Sequence, residues 1–204
     1  MQLKRFLTIT SLTISFSTYT QKTLVDITKV LPTIIVDLRY ATTNNFTKEV
    51  VYTTPLCAVH KDLVPALQSI QNELKPLGLG LKIFDGYRSQ AAQERFWELV
   101  PDERYVSNPR KGCGRHTRGT AVDVSLVDLK TGKEIDMPTG FDDFTERAWH
   151  GNADATEQQK VNRALLRTLM TKHGFEPLKT EWWHYDFKGW RNYPELDISF
   201  ETIQ

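Results

Sequence analysis

Between residues 60 and 79, HKDLVPALQSIQNELKPLGL sets Leu63, Leu67, Ile70, Leu74 and Leu77 at alternating steps of four and three. That spacing predicts an amphipathic helix with one apolar stripe, stopped by Pro76 and Gly78. LKIFD follows at 81–85 and reads as a strand. SQAAQERFWELV predicts a second helix capped by Ser89. TEQQKVNRALLRTLMTKHG predicts a third, with Thr156 and Gln159 as a capping box and Gly174 as its stop. AVDVSLV after the second helix and EWWHYDF after the third read as strands. Helices and strands in this order, without a regular βαβ rhythm, predict an α+β domain: a small central antiparallel sheet with helices packed around it.

The first twenty residues depart from this pattern. MQLKRFLTITSLTISFSTYT has Lys4 and Arg5, an uncharged run from Phe6 to Phe16, and small residues at Ser15 and Ser17. It reads as a secretory signal over residues 1–20, against the plainer alternative of an amphipathic start to the domain. The run is too short to span a bilayer. Export places the mature chain outside the cytoplasm, in the periplasm, with residues 21–204 as one domain. A chain of 204 residues with 40% hydrophobic content can bury a proper core. The net charge of +1, with both signs interspersed, gives no nucleic-acid footprint and no polybasic membrane patch. Oligomeric state is not legible. Cys57 and Cys113 form no CxxC pair, which excludes zinc-finger and thioredoxin-like readings; a disulfide and two buried free thiols both stay open.

Chemistry concentrates in GRHTRGTAVDVSL, residues 114–126. Here Asp123 lies on an apolar strand, where an ionised carboxylate costs several kcal/mol unless it is paired. Of five histidines, three have ordinary readings: His60 heads a helix, His150 sits in a polar loop, and His173 lies in a last helical turn. His116 and His184 do not. His184 stands in an aromatic strand with Glu181 three residues before it. One divalent cation resolves the burial of all of them, because two neutral imidazoles and one carboxylate make a three-ligand zinc site with an open fourth position for water. A structural site would close with a fourth side chain, and Cys113 is the candidate near enough in sequence. Glu181 is then placed to move protons as a base, against the plainer reading of a strand-end salt bridge.

HTRGTAVD fits HxxGxAxD, and EWWH fits the ExxH element, of the LAS-type zinc peptidases. DLRYATTNNF at 37–46, DGYRS at 85–89, FDDFTER at 141–147, the NRxLLxxxM helix and GFEPLKTEWWHY at 174–185 narrow the match. In order and spacing the chain resembles the VanX-type D-alanyl-D-alanine dipeptidases from about residue 33 to its end. The resemblance implies one zinc ion per chain on His116, Asp123 and His184, with Glu181 as catalytic base. It implies that Arg88 stabilises the charge developing on the scissile carbonyl, a role suited to a permanently cationic planar fork. It assigns Asp142 to the free amino end of the dipeptide, and Tyr40 and Asn45 to the pocket wall. The expected activity is hydrolysis of D-Ala-D-Ala in cell-wall peptide turnover or glycopeptide resistance. The rivals are a D,D-carboxypeptidase acting on stem peptides and a non-catalytic zinc-containing binding module. Two departures stand out: Gly114 replaces a serine common in the family that helps hold the substrate amine, and Ser89 replaces a proline after the arginine.

Overall fold

In the computed structural model of the protein, which describes residues 23–112 and 114–203, the expected strand AVDVSLV runs from Ala121 to Asp128 at the centre of a five-stranded sheet. The strands are β1 (Leu24–Asp26), β2 (Ile35–Val36), β3 (Ala58–His60), β4 (Leu79–Asp85), β5 (Ala121–Asp128), β6 (Phe175–Pro177) and β7 (His184–Phe187). The α-helices are α1 (Ile27–Val30), α2 (Val64–Leu74), α3 (Gln90–Leu99) and α4 (Glu157–Lys172). The large sheet has the order β2-β4-β5-β7-β6, and β1 pairs with β3 in a separate ribbon. Four strands of the large sheet are antiparallel as expected; β2 adds an edge parallel to β4. That edge is reached by a crossover through β3 and α2, which a parallel pairing requires.

The apolar stripe holds over most of its length. Leu63, Leu67, Ile70 and Leu74 are fully buried, whereas Leu77 is 59% exposed. Residues Lys75–Leu77 wind as a 3-10 turn around Pro76, and the tighter winding rotates Leu77 off the stripe. The predicted caps form: the Ser89 side chain accepts from the Ala92 N–H, and Thr156 and Gln159 make a reciprocal capping box. EWWHYDF pairs as a strand only from His184 onward; Trp182 and Trp183 precede it and are buried. The stripe of α2 packs with Leu166, Leu169 and Met170 of α4 against Leu81, Ile83, Val122, Val124 and Leu126 of the sheet. Each such side chain contributes roughly 2 kcal/mol by leaving water.

One irregularity positions the site. Leu81 opposes Leu126 and Ile83 opposes Val124, but the register then shifts and Asp85 opposes Asp123. A regular ladder would set Asp85 against Val122, on the apolar face. The bulge at Phe84 turns Asp85 to the other face, since residues directly opposite share a face. Asp123 in turn opposes His184. Three acidic or basic side chains thus stand in one row across β4, β5 and β7.

Among the described residues no helix is long and apolar enough to cross a membrane. The expected signal at residues 1–20 and Cys113 lie outside the described residues. Cys57 is buried, and burial pushes its thiol well above the usual range.

Candidate metal centre and catalytic cleft

His116 opens a 3-10 turn that closes at Gly119, whose φ of +66° returns the chain into β5. A side chain at Gly119 would be strained by that φ and would press its Cβ to 2.6 Å from Leu24 Cδ2. The His116 Nδ1 lies 2.7 Å from the Gly86 carbonyl, so it carries the proton and leaves Nε2 bare. The His184 Nε2 lies 2.8 Å from Asp186 Oδ1, so that nitrogen carries the proton and leaves Nδ1 bare. The two bare nitrogens are 3.2 Å apart. Asp123 completes the group, with Oδ1 3.0 Å from His184 Nδ1 and Oδ2 3.4 Å from His116 Nε2. One ligand atom from each residue lies within 4.8 Å of the others, and all three residues are buried.

Two lone pairs and a carboxylate facing one another repel unless a proton or a metal cation sits between them. This donor set fits zinc: two imidazole nitrogens, one carboxylate and outer partners that fix both rings. The electrostatics agree. Burial opposes charge on His184, yet Asp186 and Asp123 outweigh it and push the ring up to about 10, so Nδ1 attracts positive charge, which a proton or a metal ion can supply. Burial would raise Asp123, but His116 and His184 hold its carboxyl well below the usual range.

Glu181 closes the turn before β7, with Oε2 3.9 Å from His184 Nδ1. Burial pushes its carboxyl up to about 8, against the pull of His184 and Arg88 and with the push of Asp123. A cation held by the three donors would draw it back toward neutrality, the range in which a base exchanges protons with water.

Arg88 follows the tight turn at Gly86, where a Cβ would meet the Ala58 carbonyl oxygen at 2.4 Å. Its Nε and Nη2 donate to Asp85 Oδ2 at 3.1 and 2.7 Å, and its Nη1 donates to Gln93 Oε1 at 3.1 Å. The rings of Phe96 and Tyr40 flank the guanidinium at 4.6 and 5.5 Å. Asp85 is itself satisfied by the Tyr52 hydroxyl at 2.8 Å and the Gly86 N–H at 2.9 Å. The arginine is thereby held in one orientation.

Asp142 accepts from the Tyr40 hydroxyl at 3.0 Å through Oδ1, while its Oδ2 is buried with no partner. Its φ of +62° is unusual for a side-chain-bearing residue. Burial, Asp123 and Glu181 push its carboxyl well above the usual range. A cationic donor entering the cleft would satisfy this oxygen.

His116, Asp123, His184, Glu181, Arg88, Asp142 and Tyr40 all line one cleft. Asn45 does not. Its Nδ2 donates to the carbonyls of Arg39, Thr42 and Glu49, so it pins its own loop instead of facing the cleft.

Sequence reasoning passed over four residues of this site. Asp85 and Gln93 hold Arg88, Asp186 orients His184, and Arg115 lines the cleft. Only the acids had a signal: Asp85 ends an apolar strand, and Asp186 stands two residues after His184. Arg115 Nε lies 2.9 Å from Asp186 Oδ2, off the hydrogen-bond axis, and the guanidinium lies 5.4 Å from the Trp190 ring centre. Gly114 also lines the cleft, facing Ser107. A Cβ at residue 114 would lie 2.8 Å from Ser107 Oγ and 3.0 Å from Ser107 Cβ.

A family profile described as Peptidase_M15, D-ala-D-ala dipeptidase, matches residues 20–201. The chain belongs to this family. The D-alanyl-D-alanine dipeptidase of Escherichia coli (strain K12) is 37% identical over 182 residues, 88% of this chain and 92% of the relative. The D-alanyl-D-alanine dipeptidase of Enterococcus faecalis (strain ATCC 700802 / V583) is 34% identical over 183 residues, 80% of this chain and 90% of the relative. Among solved structures, VanYB in complex with D-alanine-D-alanine aligns with a TM-score of 0.42 at 17% identity, over 67% of this chain and 75% of that one.

Proposed function

We propose that this member of the family is a zinc-dependent dipeptidase that hydrolyses D-Ala-D-Ala. The observation that carries the reading is the convergence of three bare donors, from His116, Asp123 and His184, in the same cleft as Glu181 and Arg88. The names of the relatives support the substrate. Zinc, when bound there, supplies a Lewis acid that makes water acidic near neutral pH.

The chain's own residues do the rest. Glu181 takes a proton from the attacking water and returns it to the departing amine. Arg88, pinned by Asp85 and Gln93, presents fixed positive charge to the carbonyl oxygen as it becomes an oxyanion. The unpartnered Oδ2 of Asp142 receives the ammonium, which sets the length of peptide accepted at that end. Arg115, a second cation lining the cleft, receives the terminal carboxylate through its Nη nitrogens. The leader at residues 1–20, read as an export signal, supports a site of action outside the cytoplasm, where cell-wall fragments are turned over.

An assay on D-Ala-D-Ala and on a stem pentapeptide, with and without a chelator, tests this. The dipeptide should be cleaved and the pentapeptide left intact, with activity lost on chelation and restored by zinc. Cleavage of the pentapeptide alone would establish a D,D-carboxypeptidase instead. Zinc-loaded protein inert on both would remove the enzymatic reading.

A further inference from the structure

On the far side of the sheet from the cleft, α4 carries Lys160, Arg163, Arg167 and Lys172 along one side of a groove that His150 also lines. Ala164, between the two arginines in sequence, also lines it. Arg163 is only 8% exposed and donates to the carbonyls of Trp149 at 3.0 Å and Asn152 at 2.8 Å, which ties the His150 loop to the helix. Arg163 and Arg167 stand one turn apart, a like-charge spacing that destabilises a helix. No acid lines the groove. Glu157 and Glu73 reach only its two ends, pairing with Lys160 at 2.9 Å and Lys172 at 2.8 Å. The centre keeps its positive charge.

A second observation points the same way. Both ring nitrogens of His150 are buried without a partner, and so is the hydroxyl of Tyr185, a residue with no exposed surface. The two rings meet edge-on with centroids 5.9 Å apart. Burial, then repulsion from Arg167 and Arg163, lowers His150 to about 4, so the ring is neutral and carries one N–H. Two buried donors without acceptors thus adjoin two guanidinium groups, and an unsatisfied buried donor is costly. What this ensemble lacks is an acceptor bearing negative charge.

We propose that the groove binds a phosphate-class oxyanion, reached by Arg167 and by the N–H of His150. Tyr185 lies between His184 and Asp186 on β7 and points to the opposite face, so this site is separate from the cleft and independent of the reading given for it.

The test is isothermal titration of the zinc-loaded full chain with inorganic phosphate and with glycerol phosphate, at constant ionic strength, with chloride and acetate as controls. One phosphate should bind per chain in a component that Arg167→Gln and His150→Ala each weaken about ten-fold or more. Arg167→Gln should leave dipeptide hydrolysis unchanged. Glycerol phosphate binding alongside phosphate would assign the ligand to phosphomonoesters, and phosphate binding alone to the free anion. Phosphate binding equal in wild type and Arg167→Gln, or a crystal grown in phosphate that shows only water against His150, would overturn the proposal.

Discussion

The two faces of β7 bury polar groups under opposite conditions. On the cleft side, His184 has Asp186 on one nitrogen and Asp123 beside the other, and each buried acid of the row has an identified partner. On the far side, the ring nitrogens of His150 and the hydroxyl of Tyr185 have no hydrogen-bond partner, and the nearby charges are positive. The cleft gathers acceptors and bare lone pairs, which call for a cation. The groove gathers donors and guanidinium groups, which call for an anion. The sign of charge that each set would accept is therefore readable from what its side chains leave unsatisfied.

The comparison breaks first at Glu181. Glu181→Ala should lower turnover of D-Ala-D-Ala roughly 10^3-fold, while metal analysis still finds zinc on the three donors. Near-wild-type turnover would remove the base from the cleft and leave only a cation cage.

On the opposite side, acid stability sharpens the contrast. His150 is held at about 4 against an ordinary value of 6.5. Between those values the unfolded chain binds a proton that the folded chain refuses, so stability is lost as pH falls from about 6.5 toward 4. The loss should be of order 3 kcal/mol. Urea unfolding of wild type and His150→Gln at pH 7 and pH 4.5 measures it, and the variant should show a shallower acid limb. Equal limbs would mean that neither burial nor the arginines hold the ring neutral.

The smallest effect belongs to Arg115. Arg115→Ala should raise KM for D-Ala-D-Ala about ten-fold and leave a C-terminally amidated dipeptide unaffected, with zinc content unchanged. An equal change for acid and amide would make Arg115 a support for Asp186 and not a carboxylate anchor.

Much of this was legible in the residues because the informative patterns are local. The α2 stripe, the Ser89 cap and the Thr156–Gln159 box depend on neighbours within a turn or two. The convergence of His116, Asp123 and His184 was legible because these residue types are not buried unpaired, although 61 residues separate Asp123 from His184. What was hidden depends on geometry that spacing does not encode. The bulge at Phe84 decides which face Asp85 occupies, and nothing in LKIFD announces it. Asn45 turns inward to close its own loop, and Leu77 leaves its stripe through a change of winding. His150 reads as a polar-loop residue because its burial comes from α4, reached through Arg163.

The meeting of Gly114 and Ser107 constrains how this lineage can change. A Cβ at 114 would lie 2.8 Å from the Ser107 hydroxyl oxygen, so Ser107 must shift before a side chain fits there. Introducing serine at 114 therefore turns the Ser107 hydroxyl away from its present place in the cleft wall.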